Sequence, residues 1–157
     1  MKRIEDKVYE KLKKYNYKVA TAESCTGGLL AGKIINVSGA SDVISMSFIT
    51  YSNEAKEELV GVNKETIEKY NVVSEEVAKE MAKGAMEKSK CEVGLSTTGI
   101  AGPGGGSEDI PVGTVCFGIA IKNKVYTYKE VFRKKSRQGV RKSSVKFILN
   151  KLNEILE

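Results

Sequence analysis

The 157-residue sequence contains no histidine and no tryptophan, and it has only two prolines. Without histidine, a Ser-His-Asp triad, a Cys-His dyad and a histidine-ligated metal site are all excluded. A hydrolase of this composition needs lysine, glutamate, aspartate or tyrosine as its general base. The missing histidine therefore narrows the possible chemistry before any motif is considered.

Cysteines and long apolar runs are also scarce. Cys25, Cys91 and Cys116 are far apart and form no Cys-x-x-Cys pair, which argues against a disulfide framework or a zinc site and favours a reducing cytosol. No apolar run approaches the roughly 20 residues that cross a bilayer, and no signal-peptide pattern opens the chain. We therefore expect one cytoplasmic domain over residues 1–157, with no membrane partner and no metal.

Acidic residues are sparse in one part of this basic chain, whose net charge is +6. Ten lysines and arginines fall between Lys122 and Lys146, against the single acid Glu130. Such a patch fits an anionic small molecule or nucleic acid, although solvated surface lysines are the simpler interpretation. The stacking aromatics that single-strand binders use are sparse there, which argues against a nucleic-acid partner.

Helical and strand patterns alternate along the chain. Strand patterns occupy residues 17–22, 43–51, 91–97, 112–121 and 125–132. Helical patterns occupy residues 4–15, 29–36 and 64–70, and follow candidate N-caps at Ser52 or Asn53, at Ser74 and at Ser136. This order predicts an α/β domain with a mixed sheet, whose last two strands form an antiparallel hairpin with a more exposed final edge.

The first of three polar strand ends is residues 21–28 (TAESCTGG). Ser24, Cys25 and Thr26 place two hydroxyls and a thiol beside the unpaired N–H groups of a helix start. Gly27 and Gly28 allow a ligand to approach the backbone. The stretch predicts a nucleophile beside an anion hole, with capping of the helix by Ser24 or Thr26 as the alternative.

The other two strand ends are residues 51–56 and 98–107. Lys56 falls near the first turn of a short helix, where the dipole disfavours a cation, so desolvation there would lower its pKa as a lysine base requires. Residues 98–107 contain five glycines but lack the Gly-Lys-Ser/Thr of a phosphate-binding Walker loop. Because ligands of open α/β sheets sit at the carboxyl ends of strands, we expect the three segments to converge.

These motifs resemble the CinA C-terminal domain family over almost the whole chain. The matching residues are 21–28 (TAESCTGG), 51–56 (YSNEAK), 98–105 (TGIAGPGG) and 111–113 (PVG). The resemblance implies a three-layer α/β/α fold with a mixed, partly parallel central sheet of about five strands. It also implies a nicotinamide mononucleotide deamidase, which hydrolyses the carboxamide to ammonia and nicotinate mononucleotide in pyridine-nucleotide recycling, without metal or cofactor.

The resemblance further implies roles for individual residues. Ser24 would be the nucleophile, Lys56 its general base, and Tyr51 a group that relays or orients the proton. Backbone amides near Cys25 and Thr26 would hold the oxyanion. Further contacts to the small nucleotide substrate are expected from Thr26, Gly27, Gly28, Thr98, Gly99, Gly102, Gly104, Gly105, Arg137 and Arg141.

Some points depart from the family pattern or stay open. Lys135 and Ser136 stand where many members have Gly-Asp, before the arginine. Cys25 is an alternative nucleophile, because a helix N-terminus lowers a thiol pKa. A non-catalytic nucleotide- or nucleic-acid-binding module is the alternative from another functional class. An exposed edge strand would allow a homo-oligomer.

Overall fold

The computed structural model describes residues 1–157. The helices are α1 (Ile4–Tyr15), α2 (Leu29–Ile35), α3 (Asn53–Val60), α4 (Lys64–Tyr70), α5 (Glu75–Ser89) and α6 (Arg137–Ile155). The strands are β1 (Val19–Glu23), β2 (Phe48–Ile49), β3 (Val93–Gly99), β4 (Thr114–Ile121) and β5 (Lys124–Val131). None of the helices combines the length and the apolar character that a bilayer crossing requires.

The five strands form one mixed sheet in the order β2-β1-β3-β4-β5. The first three strands in this order run parallel, whereas β3, β4 and β5 pair antiparallel. Strand β4 is buried along nearly its whole length, and β5 forms a more exposed edge, as the sequence predicted. The carboxyl ends of β1, β2 and β3 consequently lie at the same edge of the sheet.

Helices cover both faces of this sheet. On one face, α1, α2 and α6 enclose the larger core, to which Leu12, Leu30, Phe117 and Leu149 contribute fully buried side chains. On the other face, α5 packs on the sheet together with α3 and α4. The predicted three-layer α/β/α fold with a five-stranded mixed sheet is confirmed.

Glycines let α5 lie directly on its neighbours. A Cβ atom at Gly94 in β3 or at Gly118 in β4 would overlap a backbone carbonyl of α5. The helix can therefore lie this close to the sheet only because these two positions have no side chain. Where α5 crosses the end of α3, a Cβ at Gly84 would overlap the carbonyl of Val60. Helix α3 is therefore held against α5 at backbone contact distance.

The predicted strand over residues 43–51 is wrong in extent. Only Phe48–Ile49 forms a strand, and Ile44 makes an isolated bridge to Val19 after a 3-10 helix. Between them, the N–H of Thr21 donates to the Ser47 hydroxyl at 3.1 Å rather than to a backbone carbonyl. The β-forming composition of this stretch thus supports an interrupted edge, not a continuous ladder.

Candidate functional site

Ser24 and Lys56 meet at the carboxyl edge of the sheet. Ser24 directly follows β1, and Lys56 is the fourth residue of α3, whose N-cap Ser52 accepts the N–H of Ala55 at 3.0 Å. The Lys56 Nζ donates to the Ser24 Oγ at 3.2 Å and to the Thr50 carbonyl at 2.8 Å. Two segments far apart in sequence therefore bring a hydroxyl and an amine within hydrogen-bond reach.

The amine of Lys56 is buried without a counter-ion. Its residue is 1% exposed and takes part in no ion pair. Burial lowers the pKa of Lys56 from 10.5 to about 8. Desolvation, which the sequence prediction required together with the helix position, is thus the main cause of the shift. At neutral pH about a tenth of the Lys56 side chains are uncharged and able to accept a proton.

The thiol of Cys25 lies in a different environment from the one the sequence suggested. Cys25 is buried and precedes the first residue of α2 by four positions, so it is not at the helix start. Burial raises the pKa of the thiol to about 11. The lowered pKa expected for an alternative nucleophile is therefore wrong, because desolvation opposes the thiolate.

The carboxylate of Glu23 is the main site feature that sequence reasoning missed. Glu23 is the last residue of β1 and is 1% exposed. Its two oxygens accept hydrogen bonds from the N–H groups of Gly28, Leu30 and Ala31 and from the hydroxyls of Thr21 and Thr26. Glu23 could have been found from the sequence as an acidic residue at the end of an apolar strand pattern, shortly before a helical pattern.

Glu23 caps the helix for which Ser24 or Thr26 was the predicted cap. Its carboxylate, and not the side chain of Ser24 or Thr26, caps the N-terminus of α2, so the capping alternative is wrong. The hydroxyl of Thr26 is fully buried between Glu23 and Thr97, at 2.6 and 2.8 Å, and cannot reach a substrate. The helix dipole consequently already has its anion.

Two backbone donors remain beside Ser24. The N–H of Ser24 pairs with the Thr97 carbonyl and the N–H of Gly27 with the Ser24 carbonyl, but those of Cys25 and Thr26 donate to no protein acceptor. These two groups lie in the turn and do not belong to the helix. An oxyanion at this site would therefore be held by the turn.

The Ser24–Lys56 pair opens into a pocket of about 500 Å³. Of the predicted residues, it is lined by Ser24, Cys25, Tyr51, Lys56, Thr98, Gly99, Gly102, Gly104, Gly105 and Arg137. The lining is completed by eight residues that were not predicted as site residues from the sequence: Asn53, Asn71, Val72, Val73, Ile100, Ala101, Ser107 and Ile110. Four of these are branched aliphatic residues, so the pocket has apolar walls beside its polar floor.

Arg137 links two segments at the rim of the pocket by hydrogen bonds. Its Nη1 donates to the Gly102 carbonyl at 2.8 Å and its Nη2 to the Tyr51 hydroxyl at 2.9 Å. Tyr51 is 61% exposed and makes no hydrogen bond to Ser24 or Lys56. Tyr51, for which a proton-relay role was predicted, is therefore hydrogen-bonded to Arg137 and not to the Lys56 amine.

Arg141, Gly27 and Gly28 lie outside this pocket, contrary to the predicted substrate contacts. The Nε and Nη2 of Arg141 donate to the carbonyls of Cys25 and Thr26, both at 3.0 Å. Arg141 and the two glycines line a separate cleft. Arg141 thus stabilises the turn through two hydrogen bonds to its backbone carbonyls, on the side away from the pocket.

The basic residues between Lys122 and Lys146 do not form one functional group. Arg137 lies at the pocket, Arg141 holds the turn, and the Lys122 Nζ sits 5.1 Å from the centre of the Tyr17 ring. No cluster of three or more aspartate, glutamate or cysteine side chains is arranged to hold a metal ion. The pocket and the Ser–Lys pair are therefore the features to which chemistry can be assigned.

Fold and geometry together define an α/β/α protein with a buried Ser–Lys pair at the carboxyl edge of its sheet. The chain belongs to the CinA C-terminal domain family, whose pattern matches residues 1–156. The resemblance noted in the sequence is thereby confirmed.

Relatives and solved structures agree on this assignment. A putative competence-damage inducible protein of Clostridium botulinum (strain Okra / Type B1) is 49% identical over 98% of this chain, which spans 37% of that relative's length. The competence/damage inducible protein CihA of Agrobacterium tumefaciens has a TM-score of 0.92 and 35% identity, covering 98% of this chain and 96% of its own. A competence or damage-inducible protein of Enterobacter asburiae has a TM-score of 0.94 and 31% identity with the same coverage.

Proposed function

We propose that this protein is an amidohydrolase that deamidates nicotinamide mononucleotide by a Ser/Lys mechanism. The observation that carries the proposal is the 3.2 Å contact between the Lys56 Nζ and the Ser24 Oγ. A surface lysine is protonated at neutral pH, but burial lowers the pKa of Lys56 to about 8. A partly neutral amine beside a hydroxyl is the arrangement that activates a serine without histidine.

In the acylation step, the neutral Lys56 amine accepts the Ser24 proton while the Oγ attacks the carboxamide carbon. The carbonyl of Thr50 fixes the amine by accepting a second hydrogen bond from it at 2.8 Å. The new C–O bond places negative charge on the former carbonyl oxygen. The free N–H groups of Cys25 and Thr26 are the donors for this charge, a contribution on the order of 3 kcal/mol for each such hydrogen bond.

Breakdown of the tetrahedral intermediate returns the proton. The Lys56 ammonium donates it to the amide nitrogen, the C–N bond breaks, and ammonia leaves. A water molecule then attacks the Ser24 ester as Lys56 accepts its proton. The ester C–O bond breaks, Ser24 recovers a proton from Lys56, and nicotinate mononucleotide is released.

The pocket fits the other parts of this substrate. A volume of about 500 Å³ lies in the range of small-molecule sites. Val72, Val73 and Ile100 offer apolar walls for a pyridine ring. The Arg137 guanidinium at the rim uses two of its five N–H groups on Gly102 and Tyr51, and the others are donors for a phosphate. The proposal includes action as one domain over residues 1–157, in the cytoplasm, with no cofactor taking part.

The decisive experiment incubates the purified 157-residue chain with nicotinamide mononucleotide and measures ammonia and nicotinate mononucleotide. We expect steady product formation that Ser24→Ala abolishes. Ser38→Ala, at an exposed serine remote from the pocket, is the matched control and should retain full activity. Equal product levels from the unaltered chain and from Ser24→Ala would remove the proposal.

A further inference from the structure

A second cleft, of about 1040 Å³, lies behind the turn that carries Ser24. It is bounded by the start of α1, by α2 and by the middle of α6, and it borders the turn at Gly27 and Gly28. None of its lining residues lines the pocket at Ser24. The cleft is therefore a separate concave surface on the opposite side of the turn.

The cleft concentrates positive charge. Its ionisable lining consists of one carboxylate, that of Glu5, and the five cationic side chains of Arg3, Lys33, Arg141, Lys142 and Lys146. Glu5 is only 2% exposed, and its Oε1 lies 3.6 Å from the Arg3 Nη1 and 3.7 Å from the Lys33 Nζ. The buried Glu5 carboxylate thus lies beside two of the cations, and one of them, Arg3, also pairs with Asp6 at 2.8 Å.

The three cations on α6 have no such partner. Arg141, Lys142 and Lys146 take part in no ion pair. Lys142 and Lys146 are one turn apart on the same helix, an arrangement in which like charges repel by a few tenths of a kcal/mol. A bound anion would convert this repulsion into attraction, because it would face several cations at once.

We propose that this cleft binds a small organic phosphate through Lys33, Lys142 and Lys146. The cations that line the cleft suit a phosphate or pyrophosphate group. The remaining lining suits the organic part, with apolar contacts from Ile4, Leu29 and Val145 and polar groups from Asn36 and Asn150. The enclosure by three helices favours a small ligand over an extended polymer.

Arg141 connects this ligand to the turn at Ser24. Its guanidinium lines the cleft while donating to the carbonyls of Cys25 and Thr26. An anion that contacts the same guanidinium competes with those two carbonyls for it. Because the N–H groups beside Ser24 belong to the same turn, occupancy of the cleft changes the turnover number, an effect that rests on the proposed function.

Binding is tested first, without any catalytic readout, by calorimetric titration of the 157-residue chain with pyrophosphate in about 50 mM salt. We expect saturable binding of one pyrophosphate per chain. The double variant Lys142→Ala/Lys146→Ala should weaken the affinity at least about tenfold. The control Lys79→Ala/Lys88→Ala removes the same charge from exposed positions on α5 and should leave the affinity within about twofold.

Three outcomes overturn the binding proposal. They are no heat of binding at about 10 mM pyrophosphate, equal weakening in both double variants, and a single-stranded oligonucleotide that binds more tightly than pyrophosphate and displaces it. The last outcome would assign the surface to nucleic acid. None of these results depends on whether the protein deamidates anything.

The coupling to Ser24 is tested separately by steady-state kinetics. Saturating pyrophosphate should change kcat at least about twofold in the unaltered chain, and Lys142→Ala/Lys146→Ala should need an at least about tenfold higher concentration for half of this change. Competition at the substrate pocket would alter KM in both proteins, so it is distinguished from an effect through the cleft. Binding with an unchanged kcat would overturn the coupling while leaving the site itself established.

Discussion

The carboxylate of Glu23 accepts the hydroxyl of Thr26 at 2.6 Å, closing a four-residue turn that contains Ser24. The same carboxylate accepts three N–H groups from the start of α2, so one buried side chain joins the strand, the turn and the helix. The direction in which Ser24 faces Lys56 is therefore set by a residue that lines neither the pocket nor the cleft.

Replacing Glu23 by glutamine should damage both stability and activity. Five donors surround the carboxylate, and a glutamine amide offers one accepting oxygen and two competing N–H groups. We expect the free energy of unfolding to fall by about 2–4 kcal/mol. Urea denaturation measures this loss.

The kinetic effect of Glu23→Gln separates positioning from plain instability. Assayed well below its unfolding midpoint, the variant should show a kcat reduced by more than about tenfold with a KM changed much less, because the turn is misplaced but the pocket walls remain. Glu58→Gln, at an exposed position on α3, is the control and should match the unaltered chain. A destabilised variant with normal kcat would refute the positioning role.

Replacing Lys56 by methionine tests the base. The substitution keeps an unbranched side chain of similar length while removing a buried amine that has no counter-ion, so we expect the free energy of unfolding at pH 7 to hold or to rise by about 1–3 kcal/mol. Deamidation should fall by about 10²–10⁴-fold, since no other base contacts Ser24. Appreciable activity in a folded Lys56→Met protein would contradict the mechanism.

The rate should rise with pH through the pKa of Lys56. The neutral amine is the active form and burial lowers its pKa to about 8, so kcat/KM increases about tenfold per pH unit below that value and levels off above it. The same shift means that the unfolded chain binds more protons between about pH 8 and 10.5, so this group's contribution to the free energy of unfolding grows with pH there. A profile of kcat/KM from about pH 6.5 to 9.5, with thermal unfolding followed in parallel, measures both. A flat rate profile would contradict a lysine base.

Cys25 should react slowly with alkylating reagents and should not be needed as a nucleophile. Burial raises the pKa of its thiol to about 11, so almost no thiolate exists at neutral pH. We expect iodoacetamide to modify Cys91, the one cysteine that is not buried, well before Cys25, as peptide mass spectrometry will show. Cys25→Ala should keep most of the activity that Ser24→Ala loses, and the opposite pattern would make the thiol the nucleophile.

Tyr51 and Arg137 should act on substrate binding. The Tyr51 hydroxyl accepts a hydrogen bond from Arg137 at 2.9 Å and makes none with Lys56, so Tyr51→Phe should lower kcat by less than about threefold. Arg137→Ala should raise KM by about tenfold or more with kcat less affected, as expected for a phosphate contact that is uniform through the reaction. A loss of kcat of about a hundredfold in Tyr51→Phe would instead establish the predicted proton relay.

Much of the fold follows from local patterns. The N-caps at Ser74 and Ser136 were visible in the sequence, and each accepts the backbone N–H that a cap should. Of the two candidates for the cap of α3, Ser52 and Asn53, the structure selects Ser52. The buried β4 was evident because both of its faces are apolar. The strand over residues 43–51 could not be delimited, since its interruption depends on the Ser47 hydroxyl meeting the N–H of Thr21 on another strand.

The site was only partly accessible to the same reasoning. The Ser24–Lys56 proximity followed from two strand ends sharing one edge of the sheet. The hydrogen-bond partners of Thr26 and Arg141 could not be predicted in this way. Either side chain could have contacted a substrate, but Thr26 donates to the buried Glu23 and Arg141 donates to backbone carbonyls. Composition and spacing identify polar groups near a site, but only the three-dimensional arrangement shows which are already satisfied.

The glycine at the crossing of α3 and α5 has a consequence for the distance between base and nucleophile. Val60, whose carbonyl abuts Gly84, lies one turn beyond Lys56 on the same short helix. Any side chain at position 84 would push α3 outward as a rigid body, carrying the amine away from a hydroxyl fixed to the sheet. The distance between the Lys56 Nζ and the Ser24 Oγ thus depends on the missing side chain of Gly84 in α5, a helix that supplies no atom to the reaction.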